Sequence, residues 1–125
     1  MDTDRPNKRA VGANYEQMAV DYLEQKGHCI LERNYRNRYG EIDIISRDRD
    51  TIVFHEVKYR KSNAFGTPFE SVNFAKQCKI SRVALYYCTQ KNLWDDCAFR
   101  FDVIAIYGDG RIFHTENAFP LAVHQ

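Results

Sequence analysis

Residues 40–61, GEIDIISRDRDTIVFHEVKYRK, constrain the fold more than any other stretch. Two β-branched and aromatic runs, 41–46 and 51–60, flank the polar run RDRD, so the segment reads as a hairpin turning at Arg49–Asp50. Ile42, Ile44, Ile45, Ile52, Val53, Phe54 and Val57 fall on both parities of these strands. Strands that are apolar on both faces belong in a sheet covered on both sides. The rest of the chain must therefore supply the cover.

Two segments can do so. Residues 9–26 carry Val11, Tyr15, Ala19 and Tyr22 at helical spacing, and Gly27 is a natural stop. TPFE at 67–70 is a second helix start, with Thr67 as N-cap, Pro68 at the first helical position and Glu70 closing a capping box; this helix is expected to run to about Thr89. HCILERNYR (28–36) adds a strand before the hairpin. AFRFDVIAIYG (98–108) reads as a buried strand, turned by GDG into RIFHTEN. The expected fold class is α/β, in the order α-β-β-β-α-β-β, with a mixed central sheet flanked by two helices. At 125 residues, 44% of them hydrophobic, the chain fits a single domain, 1–125. Residues 1–8 are expected to be a disordered N-terminus and 120–125 a C-terminal tail.

A formal net charge of +1 gives no global attraction for nucleic acid, so such a partner must be held by a local basic patch. The polar N-terminus has no signal-peptide core, and no apolar run approaches the ~18 residues of a membrane span. The expected location is cytoplasmic, with no membrane partner. Cys29, Cys78, Cys88 and Cys97 form no C-x-x-C pair and read as reduced, mostly buried thiols. A zinc site combining them with His28, His55, His114 or His124 is disfavoured, because structural zinc usually shows closely paired ligands.

The acids of the hairpin are out of place among so many apolar residues. With the turn centred between Arg49 and Asp50, Asp43 and Glu56 become cross-strand partners with Cβ atoms roughly 5 Å apart. Lys58 projects from the same face as Glu56. Two carboxylates suit Mg²⁺ or Mn²⁺, and a lysine beside them can stabilise the extra charge of a phosphodiester in its transition state. The competing reading is a solvated charge cluster in which Lys58 bridges two acids. Glu16 interrupts the apolar side of the first helix, either as a marginal acid reaching water or as a carboxylate leaning into the same cleft. Lys76 and Lys79 share a line near the start of the second helix and can meet phosphate or merely snorkel. Arg33, Arg36, Arg38, Arg60 and Lys61 lie at strand ends among tyrosines, as a phosphate-facing rim would.

GEIDIISRD, TIVFHEVKYRKSNAFG, RFDVIAI and the late NAF together resemble the YraN-type family of small bacterial proteins, which are predicted endonucleases. The resemblance spans roughly residues 12–119. That family is similar to archaeal Holliday junction resolvases and the restriction-endonuclease-like superfamily, whose signature is a strand acid followed by E-x-K on the next strand, often with a glutamate from the first helix. It implies catalytic roles for Asp43, Glu56, Lys58 and Glu16, with Asp43 and Glu56 holding Mg²⁺ or Mn²⁺. It also implies DNA as partner, with structure-selective cleavage as the analogy; Arg36, Arg38, Arg60, Lys61, Lys76 and Lys79 are the candidate DNA contacts. Cutting a symmetric junction favours a two-fold homodimer. The alternative is a nucleic-acid-binding module of the same fold that does not cut. A partner-binding patch including Phe65, Phe69 and Trp94 is a third reading. Three positions depart from the pattern: the superfamily's proline before the strand acid is missing, His55 takes a usually aliphatic slot, and Tyr15 stands where glycine is more usual. By alternation His55 faces away from Glu56 and Lys58 and reads as a packing residue. Asp102 reads as a structural acid accepting hydrogen bonds.

Overall fold

The computed structural model describes residues 8–61, 72–95 and 98–123. Along the chain they form α1 (Lys8–Gln25), β1 (Cys29–Asn37), β2 (Gly40–Asp48), β3 (Thr51–Arg60), α2 (Phe74–Gln90), β4 (Ala98–Tyr107) and β5 (Ile112–Phe119). The strands make one open five-stranded sheet in the order β1-β2-β3-β4-β5. Neighbours are antiparallel except β3 and β4, which run parallel because α2 carries the chain back between them. The protein is thus a mixed α/β domain with two helices.

Each helix covers one face. Ala19, Val20 and Leu23 of α1 pack on Ile44, Ile104 and Ile106, and α2 places Ile80, Val83, Ala84 and Tyr87 on Ile42, Ile45, Phe54 and Phe101. Residues such as Leu23, Ile44 and Ile104, all fully buried, each contribute about 1.5–3 kcal/mol by leaving water. This double cover is the reason β2 and β3 are apolar on both parities.

Gly27 ends α1 with φ +97°, a conformation that glycine adopts without strain. It permits the paired closing bonds from His28 N–H to Leu23 C=O (2.9 Å) and from Gly27 N–H to Glu24 C=O (3.0 Å). Asn92, with φ 55°, closes α2 in the same way, through Leu93 N–H to Cys88 C=O at 3.0 Å. The other end of α2 departs from expectation. The start signal at 67–70 lies outside the described residues, but Asn73 is extended (φ −66°, ψ 161°), and its side chain accepts from Lys76 N–H at 2.9 Å. One helix running unbroken from Thr67 to Thr89 is therefore excluded, because Asn73 is itself an N-cap.

At the C-terminus, Ala122 is buried, and its N–H donates to Ser81 Oγ of α2 at 2.9 Å. The chain therefore stays attached to the core beyond β5. No helix among the described residues is long and apolar enough to cross a membrane.

Candidate functional site

The β2–β3 hairpin turns at Arg49–Asp50 and pairs regularly from Asp48–Thr51 to Ile44–His55. Continued by one step, that register would set Asp43 against Glu56, but the regular pairing stops first. Beyond it, the Asp43 side chain accepts the Val57 N–H at 2.7 Å. A carboxylate thus takes an amide that a neighbouring strand would otherwise bond, and β2 leaves β3 where the acids stand.

The departure continues into β1. Arg33 pairs with Ile44, and Tyr35 with Ile42. Residues two apart on a strand normally share a face. Here Arg33 reaches Glu16 and Gln17 of α1 and Ile44 packs in the α1 core, while Tyr35 and Ile42 belong to the core under α2. Both strands therefore change face at Asn34 and Asp43, and Asn34 absorbs the change with φ 51°, a region asparagine tolerates better than most residues.

The Asn34 side chain then donates to Glu16 Oε1 at 2.7 Å, and Arg33 Nε approaches the same oxygen at 3.4 Å. Glu16 is held at the edge of a cleft of about 260 Å³ lined by Tyr15, Glu16, Asp43, Val57 and Tyr59. Tyr15 and Tyr59 stack with centroids 4.1 Å apart and form one wall. That contact gives Tyr15 a structural use in the position where the resemblance leads one to expect glycine. Burial pushes the Asp43 carboxyl up from 3.8 to about 6, and the charges of Glu56 and Glu41 push the same way; the Val57 N–H and Lys76 pull it down. Asp43 is an acid short of positive charge.

Glu56 rises from the α2 side of β3 and ion-pairs with Lys76 near the start of α2. Val57 and Tyr59 face α1, so Lys58 shares the side of Glu56. Arg36 and Arg38, in and beside the β1–β2 hairpin, and Arg60 and Lys61, at the end of β3, come to the same end of the sheet as the acids. Arg36 pairs with Glu41 at 2.9 Å, and Arg38 donates to Tyr39 Oη at 2.7 Å. Lys79 lies exposed beside Lys76 and Asn73. The structure thus gathers Asp43 and Glu16 in one cleft and sets Glu56 near enough to act on Asp43. Phe65 and Phe69 lie outside the described residues, and Trp94 is partly exposed, packed edge-on against Phe99.

A second polar group lies on the α1 side of the sheet, running from its middle toward the β2–β3 turn. Ser46 Oγ is 2.8 Å from both His28 Nδ1 and His55 Nε2. Asp102 accepts from His114 Nε2 (2.7 Å), Arg100 Nε (3.0 Å) and the Asn117 N–H (2.9 Å). Asp102 is thus an acid saturated with hydrogen bonds. His55 faces away from Glu56, as alternation predicts, but it enters a polar network rather than simple packing. Burial holds its imidazole down at about 3. Sequence reasoning missed the group because His28 and His114 come from distant segments; the one local signal was that Ser46 and His55 share a face in the hairpin register.

The fold and cleft define a mixed α/β domain with an acidic, partly desolvated cleft at one end of its sheet. Residues 15–106 match the profile described as "Uncharacterised protein family UPF0102". The chain is 52% identical over 117 residues to a UPF0102 protein of Alkaliphilus oremlandii, covering 90% of this chain and 99% of that protein. It is 55% identical over 110 residues to one of Syntrophus aciditrophicus (86% of each) and 49% identical over 114 residues to one of Clostridioides difficile (90% and 99%). The chain belongs to the UPF0102 family, the YraN-type family that its motifs resemble.

Proposed function

We propose that this chain is a restriction-endonuclease-like, divalent-cation-dependent endonuclease that hydrolyses DNA phosphodiesters, with branched repair or recombination intermediates as its substrate class. The observation that carries the reading is Asp43: a carboxylate lining the cleft and raised to about 6 by its burial and by the neighbouring acids Glu56 and Glu41. Such a group is suited to gain a cation. Glu56 supplies the second carboxylate, and its partner Lys76 is half-exposed and can move aside. Among the described residues, Glu16, Asp43 and Glu56 do not form a group whose ligating atoms all lie within 4.8 Å of one another. Mg²⁺ or Mn²⁺ would accordingly be held by Asp43 and Glu56, with Glu16 bordering the cleft. The ion supplies Lewis-acid stabilisation of phosphate and a lowered pKa for the attacking water.

The chain's own residues do the rest. Lys58, on the same side as Glu56, stabilises the charge that builds on the phosphate. Arg36, Arg38, Arg60, Lys61, Lys76 and Lys79 supply backbone contacts, which position the substrate without reading its sequence. A two-fold homodimer would present two such clefts to a symmetric junction. The location that suits this substrate in a bacterium is the cytoplasm.

The test is a cleavage panel of linear, nicked, flap and four-way-junction DNA with Mg²⁺, Mn²⁺ or chelator. Wild type should cut with either ion, and Glu56→Ala should not. Tight binding to DNA without cleavage under any ion would replace the nuclease with a binding module of the same fold. Binding should also fall steeply with salt, since phosphate contacts release counterions. Lys76→Ala/Lys79→Ala should lower affinity for every DNA form and flatten the salt dependence by about two charges' worth. Unchanged affinity would remove both lysines from the interface.

A further inference from the structure

We propose that His55, Asp102 and His114 form a buried site for a divalent transition ion of the Zn²⁺ class, separate from the acidic cleft. Their ligating atoms all lie within 4.8 Å of one another. They stand on three neighbouring strands, with His55 and Asp102 directly partnered across β3 and β4, and His114 on β5. Two imidazoles and one carboxylate form a ligand set typical of Zn²⁺ and its first-row neighbours, and unlike the all-oxygen sets preferred by Mg²⁺.

The independent observation is His55 Nδ1, a buried nitrogen with no hydrogen-bond partner, in a residue 1% exposed. The hydrogen-bond chain behind it fixes what that nitrogen carries. His28 Nε2 lies 3.7 Å from the Asp48 carboxylate, which favours a proton on Nε2 and a lone pair on Nδ1. Ser46 must then donate to His28 Nδ1 and accept from His55 Nε2–H. A neutral His55 protonated at Nε2 has a bare lone pair at Nδ1. Leaving such an acceptor buried and unmet is costly, and an ion bound there satisfies it.

The surroundings match what a metal site needs behind its ligands. His114 Nδ1 is 3.1 Å from Tyr22 Oη and 3.3 Å from Lys26 Nζ, whose ammonium also donates to Glu116 and must rest on that acid alone once Nδ1 carries a proton. When His114 binds through Nε2, the Nε2 proton moves to Nδ1 and is donated to the tyrosine oxygen, which fixes the ring. Asp102 Oδ1 accepts from Arg100 Nε (3.0 Å) and the Asn117 N–H (2.9 Å), while Oδ2 accepts from His114 Nε2 at 2.7 Å with Arg100 Nε farther off at 3.3 Å, so Oδ2 is the oxygen freed to ligate when His114 gives up its Nε2 proton. Two cations lie close, but each has another acid: Lys26 pairs with Glu116 at 3.3 Å, and Arg100 with Asp48 at 3.3 Å. Asp102 can therefore neutralise an incoming ion. Bound there, the ion ties β3, β4 and β5 together.

The probe is Co²⁺, added to the full chain carrying Cys29→Ser after chelator treatment and desalting, so that the thiol exposed among the described residues does not compete. The expected result is visible absorption of low-coordinate Co²⁺ saturating at one equivalent, displaced by Zn²⁺. The melting temperature should rise by about 10 °C at one hundred times the dissociation constant. His55→Leu should lose the absorption and the shift while melting near wild type without metal, because it removes the unmet nitrogen and Ser46 can still donate to His28. Asp43→Asn should keep both signals. Absence of absorption and shift in wild type overturns the proposal, whether or not His55→Leu folds, and leaves a polar network bridged by water. Retention of the signals in His55→Leu, or their loss in Asp43→Asn, would assign the ion elsewhere and likewise overturn it. DNA cleavage is not a readout in any arm, so the nuclease reading stands or falls separately.

Discussion

Asp43→Asn is expected to make the metal-free protein more stable at pH 8, by about 1–3 kcal/mol, while abolishing cleavage. The folded protein holds this carboxyl at about 6 against an ordinary 3.8, mainly because the group is buried. That difference corresponds to about 3 kcal/mol at most. A raised carboxyl means that the folded state binds its proton more tightly than the unfolded state does, so stability falls as pH rises from about 4 to about 6 and stays reduced above. Below pH 4 the penalty vanishes. Asparagine keeps the bond from Val57 N–H through its amide oxygen but carries no charge at any pH. Urea unfolding with chelator at pH 4 and pH 8 should therefore show a gap between variant and wild type only at pH 8. An Asp43 whose anion is structural, held by Lys58 or a neighbouring arginine, predicts the opposite sign at pH 8. A variant clearly less stable there would remove the main support for a cation site.

The elements were legible because their periodicities are strong and their boundaries are marked. The turn at Arg49–Asp50, within the polar run 47–50, centres the hairpin, and the observed pairing of Ile44 with His55 has the register that a turn there implies. Gly27 ends α1 as read, since a positive φ there leaves few alternatives. The start of α2 differs from the expected one: TPFE lies outside the described residues, and the helix that begins at Phe74 is capped by Asn73, a start signal that the stronger pattern at 67–70 overshadows in the sequence.

Of the candidate site, the sequence indicates that its acids and basic residues share one end of the sheet, but not the geometry that places them. Alternation correctly put His55 and Glu56 on opposite faces. It could not foresee that β1 and β2 change face at Asn34 and Asp43, because that change depends on one asparagine at positive φ and one carboxylate replacing a strand partner. The consequence is chemical as well as geometric: the cleft opens where the ladder fails. Lys76 was read as a phosphate contact, and the structure pairs it with Glu56. The two uses are compatible, because a half-exposed ammonium beside a carboxylate can pass to a phosphate when a cation takes its place.

Lys58→Met should reduce cleavage by about 10²–10³-fold while leaving DNA affinity and Mn²⁺ affinity within a few-fold of wild type. Methionine approximates the length of the lysine stem and removes only the ammonium. Its charge is proposed to act on the phosphate when the attacking oxygen arrives and negative charge accumulates, so the loss belongs to the transition state rather than to the ground state. A group that bound both states equally would change KM and leave kcat alone. Lys76 provides the contrast: its proposed contact is with phosphate in the bound substrate, and Lys76→Ala should weaken binding more than it slows the cut. Single-turnover cleavage at saturating protein separates the two effects, because it reads the chemical step after binding is complete. A Lys58→Met protein that cuts at the wild-type rate under those conditions would remove Lys58 from the chemistry, and one that fails to bind DNA would make it a substrate contact instead. In the expected outcome, the lysine two residues beyond Glu56 on the same side of β3 acts where the acids alone cannot, because Asp43 and Glu56 would hold the ion that lowers the pKa of the attacking water, while the ammonium stabilises the negative charge that builds on the phosphate oxygens.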